Sequence, residues 1–283
     1  MTQPSELASA DAYCRQLARR HYENFVVASR FLPGLVSLDL MRIYAYCRTT
    51  DDFGDESGAA ALSRLQRWRS DVMDFFAGQM ALHPVLLALR DTVDRHTLAA
   101  QPFLDLIQAN VQDQTVTSYE SWPELHAYCM LSAAPVGRMV LRVFELRNLR
   151  AEQLSDDVCI GLQLANHAQD VRRDALRGRR YLLESDLRSG GVQGAVKALC
   201  DRARELLHSG RELESMAPYA LRAQLALYRL GGLAIIDGIE RQGYTTDVTR
   251  PVVSRMTKAT LVLRTLVESL RDDRHGTTKL EPV

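Results

Sequence analysis

The chain has 283 residues, with 35 basic and 35 acidic side chains, and 46% of it is hydrophobic. A balanced charge argues against a nucleic-acid binder, which carries a basic excess. No uncharged run approaches the roughly 20 apolar residues that a membrane-spanning helix needs, and Gly and Pro, at 16 and 9 residues, are too few for a turn-rich sandwich or barrel.

The first eleven residues are polar and read as flexible; they have neither the basic nor the apolar stretch of a signal peptide. The spacing of Leu17, Tyr22, Phe25 and Val26 predicts a helix over 12–30, which Pro33 and Gly34 break. Ser37 or Asp39 is placed to cap the next helix, which runs to about Asp55. Helical periodicity returns over 60–77, through Leu62, Leu65, Trp68, Val72 and Phe75. Further helices are predicted over 84–96 and 103–115. Ser121 and Glu124 bracket Pro123 as a helix start. Long helices follow over 127–148, kinked by Pro135, and over 152–177. Gly190 and Gly191 form a loop, and helices over 192–213, 219–243 and 250–271 complete the set. Residues 272–283 read as flexible. No repeat, linker or shift in composition divides the chain, so 1–283 is expected to be a single all-α domain. The cysteines Cys14, Cys47, Cys129, Cys159 and Cys200 are odd in number and lack zinc-ligand spacing, which points to reduced thiols and a cytoplasmic protein.

Two segments carry chemistry. The first, from Arg48 to Glu56, holds Asp51, Asp52, Asp55 and Glu56, four carboxylates within six residues. Asp51 and Asp55 are one helical turn apart and share a face. Acids at a helix C-terminus oppose the macrodipole, so a cation should compensate. The second segment repeats the device with Asp170 and Asp174, and Gln163, Asn166 and His167 extend its polar stripe upstream. Either segment alone fits a solvated helix face. Together, on two helices that can face one another across a bundle, they suit Mg²⁺, which keeps waters and bridges to substrate phosphate. Arg48, Arg172, Arg173, Arg179 and Arg180 lie nearby in sequence and suit a diphosphate. A di-iron bundle is set aside because it needs a Glu-x-x-His pair on each of two helices, and the sequence holds one, Glu205 to His208.

These residues resemble a known family. The stretch from Ile43 to Glu56 is similar to the first aspartate-rich motif of the squalene/phytoene synthases. The stretch from Asn166 to Asp174, followed by Arg179, Arg180, Tyr181 and Leu182, is similar to the second. Tyr128 to Gly137 resembles the helix between them that bends around the isoprenoid pocket. The likeness runs from about His21 to about Leu270. Within the family, Glu23 to Ser29, Ser132 to Arg138 and Asn166 to Asp170 look like the bacterial hydroxysqualene synthases. Phe53 and Gly54 replace the more usual branched-aliphatic and Ala pair, which should alter packing beneath the first motif.

The resemblance implies an isoprenoid-synthase helical bundle around a central pocket. It also implies a Mg²⁺-dependent enzyme of squalene and hopanoid biosynthesis that turns presqualene diphosphate and water into hydroxysqualene and diphosphate. It would work beside a presqualene diphosphate synthase and a flavin-dependent reductase, and a lipid-like substrate allows peripheral contact with the inner membrane face. Asp51, Asp55, Asn166, Asp170 and Asp174 would hold Mg²⁺. Arg48, Arg179, Tyr181, Arg250 and Lys258 would hold diphosphate. Phe25, Tyr44, Ala133, Val136, Gly137 and Gln163 would line the pocket. His167 is expected to place or deprotonate the attacking water. A head-to-head prenyl diphosphate synthase and an inactive assembly subunit remain the alternatives.

Overall fold

The computed structural model describes residues 4–21 and 32–251. Among these the chain is all-α; its β-structure is one isolated bridge, Tyr119 to Leu183. No helix among the described residues is long and apolar enough to cross a membrane. The chain forms two compact units, the first from 1–117 with 123–152 and the second from 118–122 with 153–283.

The first unit is built around α2 (Gly34–Asp55), which contacts α1 (Pro4–His21), α3 (Ala61–Phe76), α4 (Pro84–His96), α5 (Gln101–Gln112) and α7 (Ala134–Val143). Its helical spacing buries Leu40, Ile43, Ala45 and Tyr46. Tyr46 stacks on Trp68, meets Phe103 edge-on, and donates its hydroxyl to the Phe103 carbonyl at 2.9 Å. Trp68 Nε1 donates to Thr50 Oγ1 at 2.9 Å, so the polar ends of this apolar cluster are satisfied. On α3 the predicted stripe holds for Leu65, Trp68, Val72 and Phe75, all buried, while Leu62 is exposed. Each large apolar side chain buried in this way contributes roughly 1.5–3 kcal/mol.

Several boundaries differ from the pattern. α1 begins at Pro4 rather than Ala12, and Ala10 and Asp11 are buried, because Asp11 pairs with Arg42 of α2. α2 begins at Gly34, and neither Ser37 nor Asp39 caps it; Asp39 is buried among side chains of α4. The predicted helix over 127–148 is two helices. α6 (Trp122–Ser132) ends where Ala133 leaves helical geometry (φ −120°, ψ −50°). Pro135 sits in the first turn of α7, where its missing N–H is harmless, so it starts a helix instead of kinking one.

His83 caps α4, its Nδ1 accepting from Val85 N at 3.3 Å. It is boxed by the rings of Trp68, Phe53 and Tyr13. Burial holds its pKa below the ordinary 6.5, against the opposing charge of Asp71. A depressed histidine pKa gives stability that is present above about pH 6.5 and lost as pH falls through the folded value. The protonated ring also cannot accept from Val85. Relative to a non-titrating variant, the parent is therefore expected to lose stability to urea between pH 7.5 and pH 5. His83→Asn, which keeps a capping acceptor that does not titrate, should remove that loss.

In the second unit α8 (Leu149–Gln169) is followed by the short α9 (Val171–Leu176), α10 (Glu184–Met216) and α11 (Tyr219–Arg241). The predicted Gly190–Gly191 loop is a break inside α10 at Gly191 (φ 62°, ψ −167°). α10 packs along α11. The approach is close at Gly232, where a Cβ would lie 2.8 Å from Leu207 and 2.9 Å from Leu162. Arg229 of α11, itself buried, forms a two-pronged bond with Glu214 of α10.

Candidate active site

In the first unit the last turns of α2 carry Tyr44, Arg48, Asp51, Asp52 and Asp55. Asp51 and Asp55 are exposed, Tyr44 and Arg48 half-buried. Arg48 is engaged along its own helix by Asp52, with Glu56 at 3.5 Å. Asp51 instead accepts from Asn110 Nδ2 of α5 at 3.2 Å. The Asn110 bond and the Arg48 charge favour the Asp51 carboxylate, while Asp55 and Asp52 disfavour it. The last turn of α2 holds no basic residue. Ala133 and Gly137 are buried, and Val136 packs on the core that α2 organises.

In the second unit the stripe crosses a break. The pattern predicts one helix over 152–177, but Asp170 (φ −101°, ψ 16°) ends α8 and opens α9. The turn-to-turn bonds survive: Asp170 N donates to Asn166 O, and Asp174 N to Asp170 O, each at 2.9 Å. Asn166, Asp170 and Asp174 therefore still succeed one another a turn apart. Asn166 is exposed and Gln163 half-buried. The buried His167 stacks on Tyr181 with ring centroids 3.6 Å apart, and its Nδ1 lies 3.7 Å from Asp174 Oδ2. Tyr119 stacks on the Tyr181 ring at 6.0 Å. Arg179 is half-buried just beyond α9.

Arg250 is bonded to Asp170 through Nε and reaches Gln169 Oε1 at 3.0 Å. Gln169 in turn donates to the Pro251 carbonyl at 2.7 Å, and Arg172 to the Val248 carbonyl at 3.0 Å. A residue expected at the diphosphate is thus engaged with one expected at the metal. Phe25 and Lys258 lie outside the described residues.

The donor set can be compared with the expected Mg²⁺. Among the described residues no three Asp, Glu, His or Cys side chains converge on one point. Each unit offers carboxylates in pairs, all hard oxygen donors. That fits an ion which binds through one or two carboxylates and fills its octahedron with water and phosphate, and it does not fit a closed protein cage. The cysteines do not compete for chemistry. Burial pushes the Cys129 thiol up to about 12 and raises that of Cys47 well above the ordinary value, so both stay protonated.

Sequence reasoning missed Asn110, Gln114 and Gln169 as side chains that hold the acidic segments. Asn110 and Gln114 had no periodic signal, and Gln169 stood inside a motif without a role of its own.

Known proteins are similar to this chain. The squalene/phytoene synthase family pattern matches residues 18–257. The 15-cis-phytoene synthase of Synechococcus elongatus is 31% identical over 278 residues, covering 87% of this chain and 88% of that protein. Phytoene synthase 3 of Zea mays is 29% identical, covering 93% of this chain and 67% of that protein. Among solved structures, squalene synthase HpnC from Alicyclobacillus acidocaldarius is 41% identical with a TM-score of 0.80, covering 86% of this chain and 97% of that one. A dehydrosqualene synthase in complex with ligand shares the fold at 22% identity and a TM-score of 0.85, covering 95% of this chain and 99% of that one.

Proposed function

Because this chain belongs to the squalene/phytoene synthase family, enzymes of head-to-head prenyl diphosphate chemistry, we propose that it converts presqualene diphosphate and water into hydroxysqualene and diphosphate. The observation that carries this choice of branch is His167. A buried imidazole beside Asp174, oriented by its stack on Tyr181, is what a reaction ended by water requires. The 41% identity to squalene synthase HpnC, against 27–31% for the phytoene synthases, supports the same side of the family. The phytoene synthase relatives favour the second reading, condensation of two prenyl diphosphates.

Asp51 and Asp55, and Asp170 and Asp174 with Asn166, would hold Mg²⁺, which when bound neutralises charge on the departing diphosphate. Arg48, Arg179, Tyr181 and Arg250, with Lys258, would bind that diphosphate. Tyr44, Gln163, Ala133, Val136 and Gly137, with Phe25, would line the isoprenoid and keep stray water away. Breaking the carbon–oxygen bond to diphosphate leaves a carbocation. One water attacks the rearranged cation, and its proton passes to His167. The products are hydroxysqualene and diphosphate, and no reductant is consumed. A presqualene diphosphate synthase upstream and a flavin-dependent reductase downstream belong to the same proposal, which takes 1–283 as one catalytic domain.

The test supplies purified protein and Mg²⁺ with presqualene diphosphate or with farnesyl diphosphate, without NADPH, and identifies the lipids by mass spectrometry. The expected result is hydroxysqualene from the first and no product from the second. Presqualene diphosphate or a C30 or C40 hydrocarbon made from a prenyl diphosphate would move the protein to the condensing reading. His167→Phe keeps the stack but removes the base, and is expected to cut hydroxylated product about 100-fold.

A further inference from the structure

The last turn of α2 is held from the side by two amides of the α5 segment. Asn110 Nδ2 donates to Asp51 Oδ1 at 3.2 Å and to the Leu106 carbonyl at 3.1 Å. Gln114 Nε2 donates to the Gly54 carbonyl at 3.2 Å and to the Asn110 carbonyl at 3.1 Å. The Gly54 carbonyl is among the last four of the helix, which have no partner within it. Asn110 is 9% exposed and fits because residue 54 has no side chain: a Cβ on Gly54 would lie 2.5 Å from Asn110 Oδ1. The missing side chain at Gly54 thus leaves the space that Asn110 fills.

The chemistry of the donor matters. Other carboxylates of this unit are matched by guanidinium groups: Asp52 by Arg48, Asp39 by Arg95 and Asp11 by Arg42. A guanidinium neutralises the carboxylate it orients. An amide fixes the carboxylate's rotamer and leaves its negative charge available to a cation. Arg48 attracts the Asp51 carboxylate while Asp55, Asp52 and the negative end of the helix dipole repel it, and the Asn110 amide bonds it directly without adding a charge.

We propose that Asn110 is a positioning residue for the Asp51 carboxylate as a divalent-cation ligand, and that Gly54 is required for that role. The inference rests on the reading of Asp51 as a metal ligand given above. A supporting amide of this kind is worth roughly 10- to 100-fold in metal affinity.

The test titrates the full-length protein with Mn²⁺ alone, followed by electron paramagnetic resonance, with no substrate present. Asn110→Leu keeps the volume, removes the donor and is expected to weaken Mn²⁺ binding by about 10-fold or more. Gly54→Ala, which touches neither carboxylate, should act in the same direction by pushing the Asn110 amide aside. In an Asp51→Asn background Asn110→Leu should have no further effect, since nothing is left to position. Unchanged affinity in Asn110→Leu overturns the inference. Equal weakening with and without Asp51 also overturns it, because Asn110 would then act through the fold. If Asp51→Asn alone leaves Mn²⁺ binding intact, Asp51 is not a ligand, and the metal assignment fails along with the inference.

Discussion

Asp51→Asn and Asp170→Asn are each expected to lower the release of diphosphate from presqualene diphosphate by at least about 10³-fold, with the fold retained. Both carboxylates reach the surface of their units, Asp51 exposed and the Asp170 side chain 15% exposed, so a neutral isostere leaves packing intact. On the proposed reading, what it removes is a hard anionic ligand for the cation that offsets the leaving group's charge. Arg250→Gln should behave differently. Its guanidinium is bonded to Asp170, so removing it relieves Asp170 of a competitor for a cation. Mn²⁺ should bind at least as tightly as in the parent, while turnover falls because the diphosphate loses a donor. Diphosphate release measured alongside Mn²⁺ titration separates the two classes. A variant of either aspartate that keeps full turnover would remove that residue from the site.

The paired aspartates were legible because a spacing of four is a local property: Asp51 with Asp55 and Asp170 with Asp174 share a face in any helix. The apolar run before Asp51 likewise marked α2 as a core helix, and the structure buries it. The break at Asp170 was not legible. No Gly or Pro interrupts residues 163–176, and the chain turns there while its turn-to-turn bonds persist. Asn110 gave no signal because a lone Asn in an apolar helix looks like any solvated position; its partner stands 59 residues away. Asp39 was misread for the same reason. Near a predicted helix start, an aspartate matches a capping rule that sees only its neighbours. Its real partners, Thr92, Arg95 and His96, lie 53 to 57 residues further along. Local rules therefore found the paired carboxylates and missed the side chains that hold them.

Asp39 carries the largest expected effect on stability. Its side chain is 1% exposed and accepts from Thr92 Oγ1 at 2.7 Å, from Arg95 at 2.7 Å and from His96 Nε2 at 2.8 Å. Arg42, 2% exposed, lies 3.7 Å from it and makes a two-pronged bond with Asp11. The cluster ties α1, α2 and α4 together, twelve residues before Asp51, or about 18 Å along the helix. Asp39→Ala would take one carboxylate from the buried Arg42 and leave the buried Thr92 and His96 donors unmet, at about 3–5 kcal/mol. Burial alone would raise the Asp39 pKa, but bonds from His96, Thr92 and Arg95 outweigh it and hold the carboxyl below its ordinary 3.8. A carboxylate depressed in the fold gives stability that is present above about pH 3.8 and lost as pH falls through the folded value. Urea unfolding at pH 7 should show the full loss in Asp39→Ala. On acidification below pH 4 the parent should lose stability more steeply than Asp39→Asn, which has no proton to take up. A cost under about 1 kcal/mol, or matching acid limbs, would mean that the network merely solvates its charges. A large cost with Mn²⁺ affinity unchanged would separate what holds α2 in place from what aims its carboxylates.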